Sequence, residues 1–193
     1  WWMQKRLMLA GMRPINNIVD ITNYVMLEYG EPIHAFDIRQ IEGGKIVVDT
    51  AAPEERFITL DGTERKMPEG TLMIKDGSRS IGIAGIMGGL NSEIVEDTNT
   101  IVIEAANFNG DVIRSGSKKL GLRTEASARF EKGIDPNLCG VAAARVVQLI
   151  EELKAGKPMA KPVDVYPNPM LATPCWVRLE RVQKIMGVNI SQE

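Results

Sequence analysis

Two Asp-Gly dipeptides, Asp61-Gly62 and Asp76-Gly77, each sit between short runs rich in β-branched and aliphatic residues. Asp-Gly reverses a chain within two residues because glycine readily takes the positive φ of a tight turn, so the pattern predicts hairpins. The flanking runs are residues 45–48, 57–60, 72–75 and 80–86, which together read as an antiparallel meander. A further run, 100–106, is almost wholly apolar, as expected of a strand covered on both faces.

Helical periodicity brackets these strands. Ile18, Ile21, Val25 and Tyr29 share one helical stripe in residues 17–29, with Asn16 or Asn17 as N-cap and Gly30 as the stop. Residues 32–37 then read as an irregular, partly apolar turn. Beyond Phe108, Asn109 is placed to cap a helix ending at Gly121, and Thr124 one ending at Gly133. Asp135-Pro136 opens the longest helix, with proline at its first position, Gly156 as its stop and Leu138, Ala142, Leu149 and Leu153 as its apolar stripe. Five prolines, at 158, 162, 167, 169 and 174, mark residues 158–174 as a linker. The chain thus divides into a domain over 1–157, that linker, and a tail over 175–193. In the tail, 176–179 reads as a strand and 180–186 as a helix. Too small for a core of its own, it reads as the truncated start of a neighbouring module.

Composition excludes several classes. Of 193 residues 44% are hydrophobic and 25% charged, the balance of a globular domain rather than a disordered tail or a fibre. Lys plus Arg number 23 against 25 Asp plus Glu, a net charge of −2, so any contact with nucleic acid must be local. Cys139 and Cys175 are too few for a disulfide framework and lack metal-ligand spacing. No apolar run is long enough for a membrane span, and Trp1 to Arg6 lead into no signal-peptide core. The first residue is not Met, which suggests a piece of a longer protein. The expected setting is cytoplasmic.

No phosphate loop, dinucleotide fingerprint, nucleophile elbow or zinc spacing is present. The most informative residue is Glu104. Alternation places it with Val102 and Ala106 on one face of the apolar strand, where a carboxylate requires a hydrogen-bond partner. Two roles fit, a structural pair with an arginine or backbone donors, or a pocket carboxylate awaiting a ligand. Gly82, Gly85, Gly88 and Gly89 either permit bends or let backbone approach a ligand. His34, the sole histidine, is either a packed structural group or part of a site. Arg114, Lys118, Lys119, Arg123, Arg129 and Lys132 are offset only by Glu125 and Glu131, as a solvated helix face or a local phosphate-contacting surface.

Several segments together resemble the beta subunit of bacterial phenylalanine–tRNA ligase. They are Arg13-Pro14-Ile15-Asn16-Asn17-Ile18-Val19-Asp20-Ile21-Thr22-Asn23-Tyr24, His34-Ala35-Phe36-Asp37, Leu60-Asp61-Gly62-Thr63, Gly85-Ile86-Met87-Gly88-Gly89, Glu104-Ala105-Ala106-Asn107-Phe108, and the stretch from Thr124 to Pro136. Any one is weak; the ordered set over about residues 5 to 165 is specific. The resemblance implies the central editing domain of that family: an α+β fold with a central, mostly antiparallel sheet and packed helices. It also implies hydrolysis of tyrosine wrongly esterified to tRNA(Phe), within an enzyme that aminoacylates that tRNA for translation. The implied partners are the tRNA(Phe) acceptor end and the ligase alpha subunit in a heterotetramer. ATP and magnesium would act elsewhere in the whole enzyme, leaving no cofactor and no metal in this chain. The competing expectation is a non-catalytic module that braces the subunit and guides tRNA.

The chemistry is coherent. A pocket built for phenylalanine rejects an added hydroxyl poorly, so a second sieve must prefer the phenol. A buried carboxylate does so by accepting the phenolic O–H; phenylalanine would leave it unpaired, costing roughly 1–3 kcal/mol. By resemblance Glu104 is that residue, and Thr22, Asn23 and His34 lie near the amino acid and terminal ribose. Thr124 and Ala126 form the opposite wall, and Gly88 and Gly89 line the pocket. Thr124 and His34 would position substrate and water, and Arg114, Lys118, Lys119, Arg123 and Arg129 would contact tRNA.

Overall fold

The structure is a computed structural model that describes residues 1–191. It divides into a unit over Trp1–Ala160 and a second over Lys161–Glu193. The first unit is α+β, and its strands form three antiparallel pieces.

The ribbon at its centre joins β1 (Ile33–Asp37) to β8 (Ile101–Ala105), with His34 opposite Glu104 and Phe36 opposite Val102. Residues 33–37 are therefore a strand, not the irregular turn expected. The alternation of His34, Ala35, Phe36 and Asp37 becomes regular only because β8 supplies hydrogen-bond partners from far along the sequence. Every residue of β8 is half-buried rather than covered on both faces as expected, because in a two-stranded ribbon one edge of β8 has no strand beside it; each face still meets a different core. Ile33, Ala35, Ile101 and Ile103 turn toward a helical layer built from α1 (Trp2–Leu9), α2 (Asn17–Tyr29) and α5 (Leu138–Glu152). Phe36 turns the other way, into a core formed with the strands.

Those strands are β2 (Val47–Thr50), β5 (Leu72–Lys75), β6 (Ser80–Ile83) and β7 (Met87–Gly88), which pair antiparallel in the order β2-β5-β6-β7. A separate hairpin of β3 (Arg56–Ile58) and β4 (Glu64–Lys66) interrupts the expected meander between β2 and β5. Both Asp-Gly pairs lie in chain reversals, but in longer loops than two residues, 59–63 and 76–79, and only Gly62 of the two glycines takes a positive φ. Asp76 closes β5–β6 by accepting from the Ser78 and Arg79 amides at 2.7 and 2.9 Å. Asp61 closes β3–β4, accepting from the Thr63 amide at 3.1 Å and from the Arg65 guanidinium at 2.8 Å. The run 80–86 breaks at Gly85, whose φ of +64° and contact with Phe108, Ile113 and Phe130 leave no room for a side chain.

Helix signals fared well where caps were clear. Asn16 caps α2 by accepting from the Val19 amide at 2.9 Å, and Gly30 ends it in the left-handed region. Asn109 and Gly121 bound α3 (Gly110–Leu120), and Thr124 caps α4 (Glu125–Phe130). The longest helix, α5, begins at Leu138 rather than at Pro136, and its buried stripe is Ala142, Val146, Leu149 and Ile150, with Leu153 exposed. Helix α1 carried no expectation; it packs Met3 and Leu7 against the helical core. In the second unit, α6 (Leu179–Met186) replaces the expected 176–179 strand at its last residue, and no residue of that helix is buried.

Candidate functional site

The β1–β8 ladder sets His34 and Glu104 side by side on the face that turns toward the strands, because directly opposed residues share a face. Among the described residues no hydrogen bond or ion pair reaches the Glu104 carboxylate; none reaches the His34 ring. The structural pairing that Glu104 could have had is thus not made. Burial raises the Glu104 carboxyl to about 7 and lowers the His34 imidazole to about 4. At neutral pH His34 is an uncharged donor and acceptor, and Glu104 stands near half ionisation.

The His34 ring packs against Phe36 and Gly88. It meets Phe36 edge to face, ring centres 4.6 Å apart at 78°. The backbone of Gly88 also lies close against it, where a Cβ would lie 2.7 Å from both Cε1 and Nε2. Glycine at 88 is required by this close approach. Gly89 is tighter still, since a Cβ there would lie 2.5 Å from Phe57 Cζ and 2.7 Å from the Ile81 carbonyl.

Thr124 joins α4 to the same edge of the sheet. Its hydroxyl donates to the Ile86 carbonyl at 2.8 Å and accepts from the Ser127 amide at 3.1 Å, while Ser127 Oγ accepts from the Thr124 amide at 2.9 Å. The single hydroxyl proton is therefore committed to Ile86. Ala126 is half-buried against the strand-side core.

Thr22 and Asn23 lie on α2, in the helical layer. Thr22 is buried and donates to the Val19 carbonyl of its own helix at 2.9 Å; Asn23 is half-buried. No hydrogen bond among the described residues joins either to His34 or Glu104. Of the basic residues, Arg114, Lys118 and Arg123 line a cleft of about 530 Å³ together with Lys132 and Glu131. Lys119 and Arg129 do not: Lys119 reaches the Glu69 carbonyl at 3.3 Å, and Arg129 is paired with Glu125 at 2.6 Å. Glu104 does not line this cleft. Phe36 and Ile86 were missed in sequence; for Phe36 the signal was its i,i+2 spacing from His34, legible only once residues 33–37 are a strand. Among the described residues no group of three or more His, Cys, Asp or Glu is arranged to hold a metal ion. No helix among them is long and apolar enough to cross a membrane.

A profile of the B3/4 domain matches residues 1–155. The chain belongs to the B3/4 domain family. Its relatives bear out the resemblance read from the motifs. The B3/4 chain is 55% identical over 192 residues to the phenylalanine–tRNA ligase beta subunit of Clostridium tetani, covering 100% of this chain and 24% of that protein. It is 52% identical to the beta subunit of Clostridium acetobutylicum, again 100% of this chain and 24% of that protein. With the Bacillus subtilis beta subunit the identity is 47%, over 100% of this chain and 24% of that protein. The chain therefore spans about a quarter of the curated relatives it matches, and the B3/4 match includes all eight strands of the first unit.

Proposed function

We propose that this B3/4 chain is the editing domain of a phenylalanine–tRNA ligase beta subunit, hydrolysing the ester of tyrosine mischarged on tRNA(Phe). The observation that carries this reading is the Glu104 carboxylate, desolvated, without a partner, and opposite an uncharged His34. A phenolic O–H offers the missing donor; a phenyl ring does not, and leaves the acceptor desolvated. His34 positions the acceptor end of the substrate as a neutral donor and acceptor. Thr124, with its proton held by Ile86, acts as a wall and as a hydrogen-bond acceptor for water. Hydrolysis of an activated ester then requires an oriented water and no covalent intermediate.

In this reading the partners are the tRNA(Phe) acceptor end and the ligase alpha subunit, in a cytoplasmic heterotetramer. ATP and magnesium serve the synthetic reaction elsewhere, and the editing step uses no cofactor here. The test is deacylation of tyrosyl-tRNA(Phe) and phenylalanyl-tRNA(Phe) by the full-length enzyme carrying Glu104→Ala. The tyrosine preference should fall about fivefold to 150-fold, from the roughly 1–3 kcal/mol of an unsatisfied acceptor; unchanged discrimination removes Glu104 from the role. One observation favours the rival scaffold reading, namely that the Thr22 and Thr124 hydroxyl protons are both committed to backbone carbonyls. A scaffold would leave tyrosyl-tRNA(Phe) uncleaved by the wild-type enzyme.

A further inference from the structure

We infer that the cleft between α3 and α4 is a phosphate-binding site that holds the RNA backbone beside the Thr124 wall, an inference that rests on the editing reading above. The chain carries a net charge of −2. This cleft nevertheless gathers Arg114, Lys118, Arg123 and Lys132 against the single carboxylate of Glu131. Arg123 is answered by Glu131 at 3.0 Å. Arg114, Lys118 and Lys132 have no ion-pair partner among the described residues.

A solvated helix face ordinarily alternates the signs of its charges, with acids and bases three or four residues apart supporting each other. Here Arg114 and Lys118 are four apart on α3 and repel, and an anion in the cleft relieves that repulsion. The floor is rigid: Ser117 Oγ donates to the Leu122 carbonyl at 2.7 Å, and the Leu122 amide donates back to the Ser117 carbonyl at 3.0 Å. Gly121, at φ +61°, turns the chain between them. Arg123 then leads directly into Thr124, whose hydroxyl is bound to Ile86, two residues before the Gly88 backbone that packs on His34. The cleft and the Thr124 wall are thus joined through adjacent residues, so an RNA end held at that wall has cations at the next residue of the chain. Lysine ammonium groups on flexible stems grip phosphate without reading bases.

The test is the double variant Lys118→Gln with Lys132→Gln in the full-length subunit within its holoenzyme, titrated with tRNA at several salt concentrations. Each lost contact to single-stranded RNA lowers the slope of log affinity against log salt by about 0.7, so the two together lower it by about 1.4. Between about 50 and 200 mM salt, the wild-type affinity should then fall about sevenfold more than the variant's. The ratio of hydrolysis rates for tyrosyl-tRNA(Phe) over tyrosyl-adenosine, which has no phosphate, should fall with it at subsaturating substrate. An unchanged salt slope overturns the inference, and so does equal slowing on both esters. Saturable binding of inorganic phosphate with an unchanged tRNA slope overturns the assignment to RNA. If the wild type hydrolyses neither ester while the slope still falls, the phosphate site stands and the editing reading alone fails.

Discussion

Replacing Glu104 by glutamine probes whether the carboxylate is as solitary as the ladder shows, without any reference to activity. Glutamine preserves size and removes the charge. Burial raises the folded-state carboxyl from 4.5 to about 7, so the folded chain holds this proton more tightly than the unfolded chain does. A group of this kind makes the fold most stable where it is protonated in both states, and stability declines as pH climbs from the unfolded value through the folded one. Each tenfold difference in proton affinity is worth about 1.4 kcal/mol, which puts the cost of the ionised carboxylate on the order of 3 kcal/mol. Solvent reaching this half-buried residue reduces the figure to roughly 2–3 kcal/mol. Near pH 4 the Glu104→Gln variant and wild type should therefore be equally stable, and above about pH 8 the variant should lead by roughly 5–10 °C in melting temperature. His34 contributes the opposite slope, since its lowered imidazole makes both proteins less stable as pH falls below the ordinary histidine range, and it cancels in the difference. Thermal and urea unfolding across that pH range measure the gap. Parallel curves, or a variant that is the less stable at alkaline pH, would show that Glu104 has a donor or cation of its own, and the recognition argument would go with it.

Three other perturbations follow from the same geometry. Gly88→Ala drives a methyl group into the His34 ring, and should cost about 1–3 kcal/mol in thermal unfolding. In the same variant an NMR titration should show the imidazole moving back toward its ordinary pKa as it loses its packing; an unmoved titration would mean the ring is not held by residue 88. Asp37 is buried and bound by Arg39 at 2.7 Å and by the Thr98 hydroxyl at 2.7 Å, which hold its carboxyl well below the usual range. Because Arg39 is partly exposed, Asp37→Asn should cost about 2–3 kcal/mol at neutral pH, a gap that closes as pH falls below about 4 and wild type loses its own carboxylate. Ala126→Trp should leave aminoacylation by the full-length enzyme intact while tyrosyl-tRNA(Phe) accumulates; its overpacking cost of about 1–3 kcal/mol is read separately by calorimetry, and no accumulation in a folded variant would exclude Ala126 from the pocket wall.

What could be read in advance was local. The Asn16, Asn109 and Thr124 caps and the two Asp-Gly turns are set by side chains bonding backbone within a few residues, and all five are in place. The strand at residues 33–37 was illegible because its ladder partner lies near residue 100, and because proline at 32 disguised its start. The β3–β4 hairpin escaped for a different reason: Glu64, Arg65 and Lys66 carry no apolar alternation, and the strand is held by cross-strand pairs such as Arg56 with Glu64 at 2.8 Å. For the site, strand alternation alone placed Glu104, but only the register places His34 opposite it, and only the close approach of Gly88 explains why that histidine cannot turn away.

The two-core arrangement bears directly on how such a site could discriminate. A carboxylate on an open surface would keep its water and accept a phenol with little advantage over solvent, whereas one within a dry core would be neutral and structurally inert. The β1–β8 ribbon lies between these limits: its aliphatic face is packed against helices, and its other face carries Glu104 beside a neutral imidazole and a glycine backbone. Neither neighbour supplies a charge that would settle the carboxylate before a ligand arrives. Had residue 34 been a lysine or arginine, Glu104 would be paired in the empty site, and a phenol would have to displace a cation to gain one hydrogen bond. An uncharged His34 is therefore as necessary to the selectivity proposed here as the acid it faces.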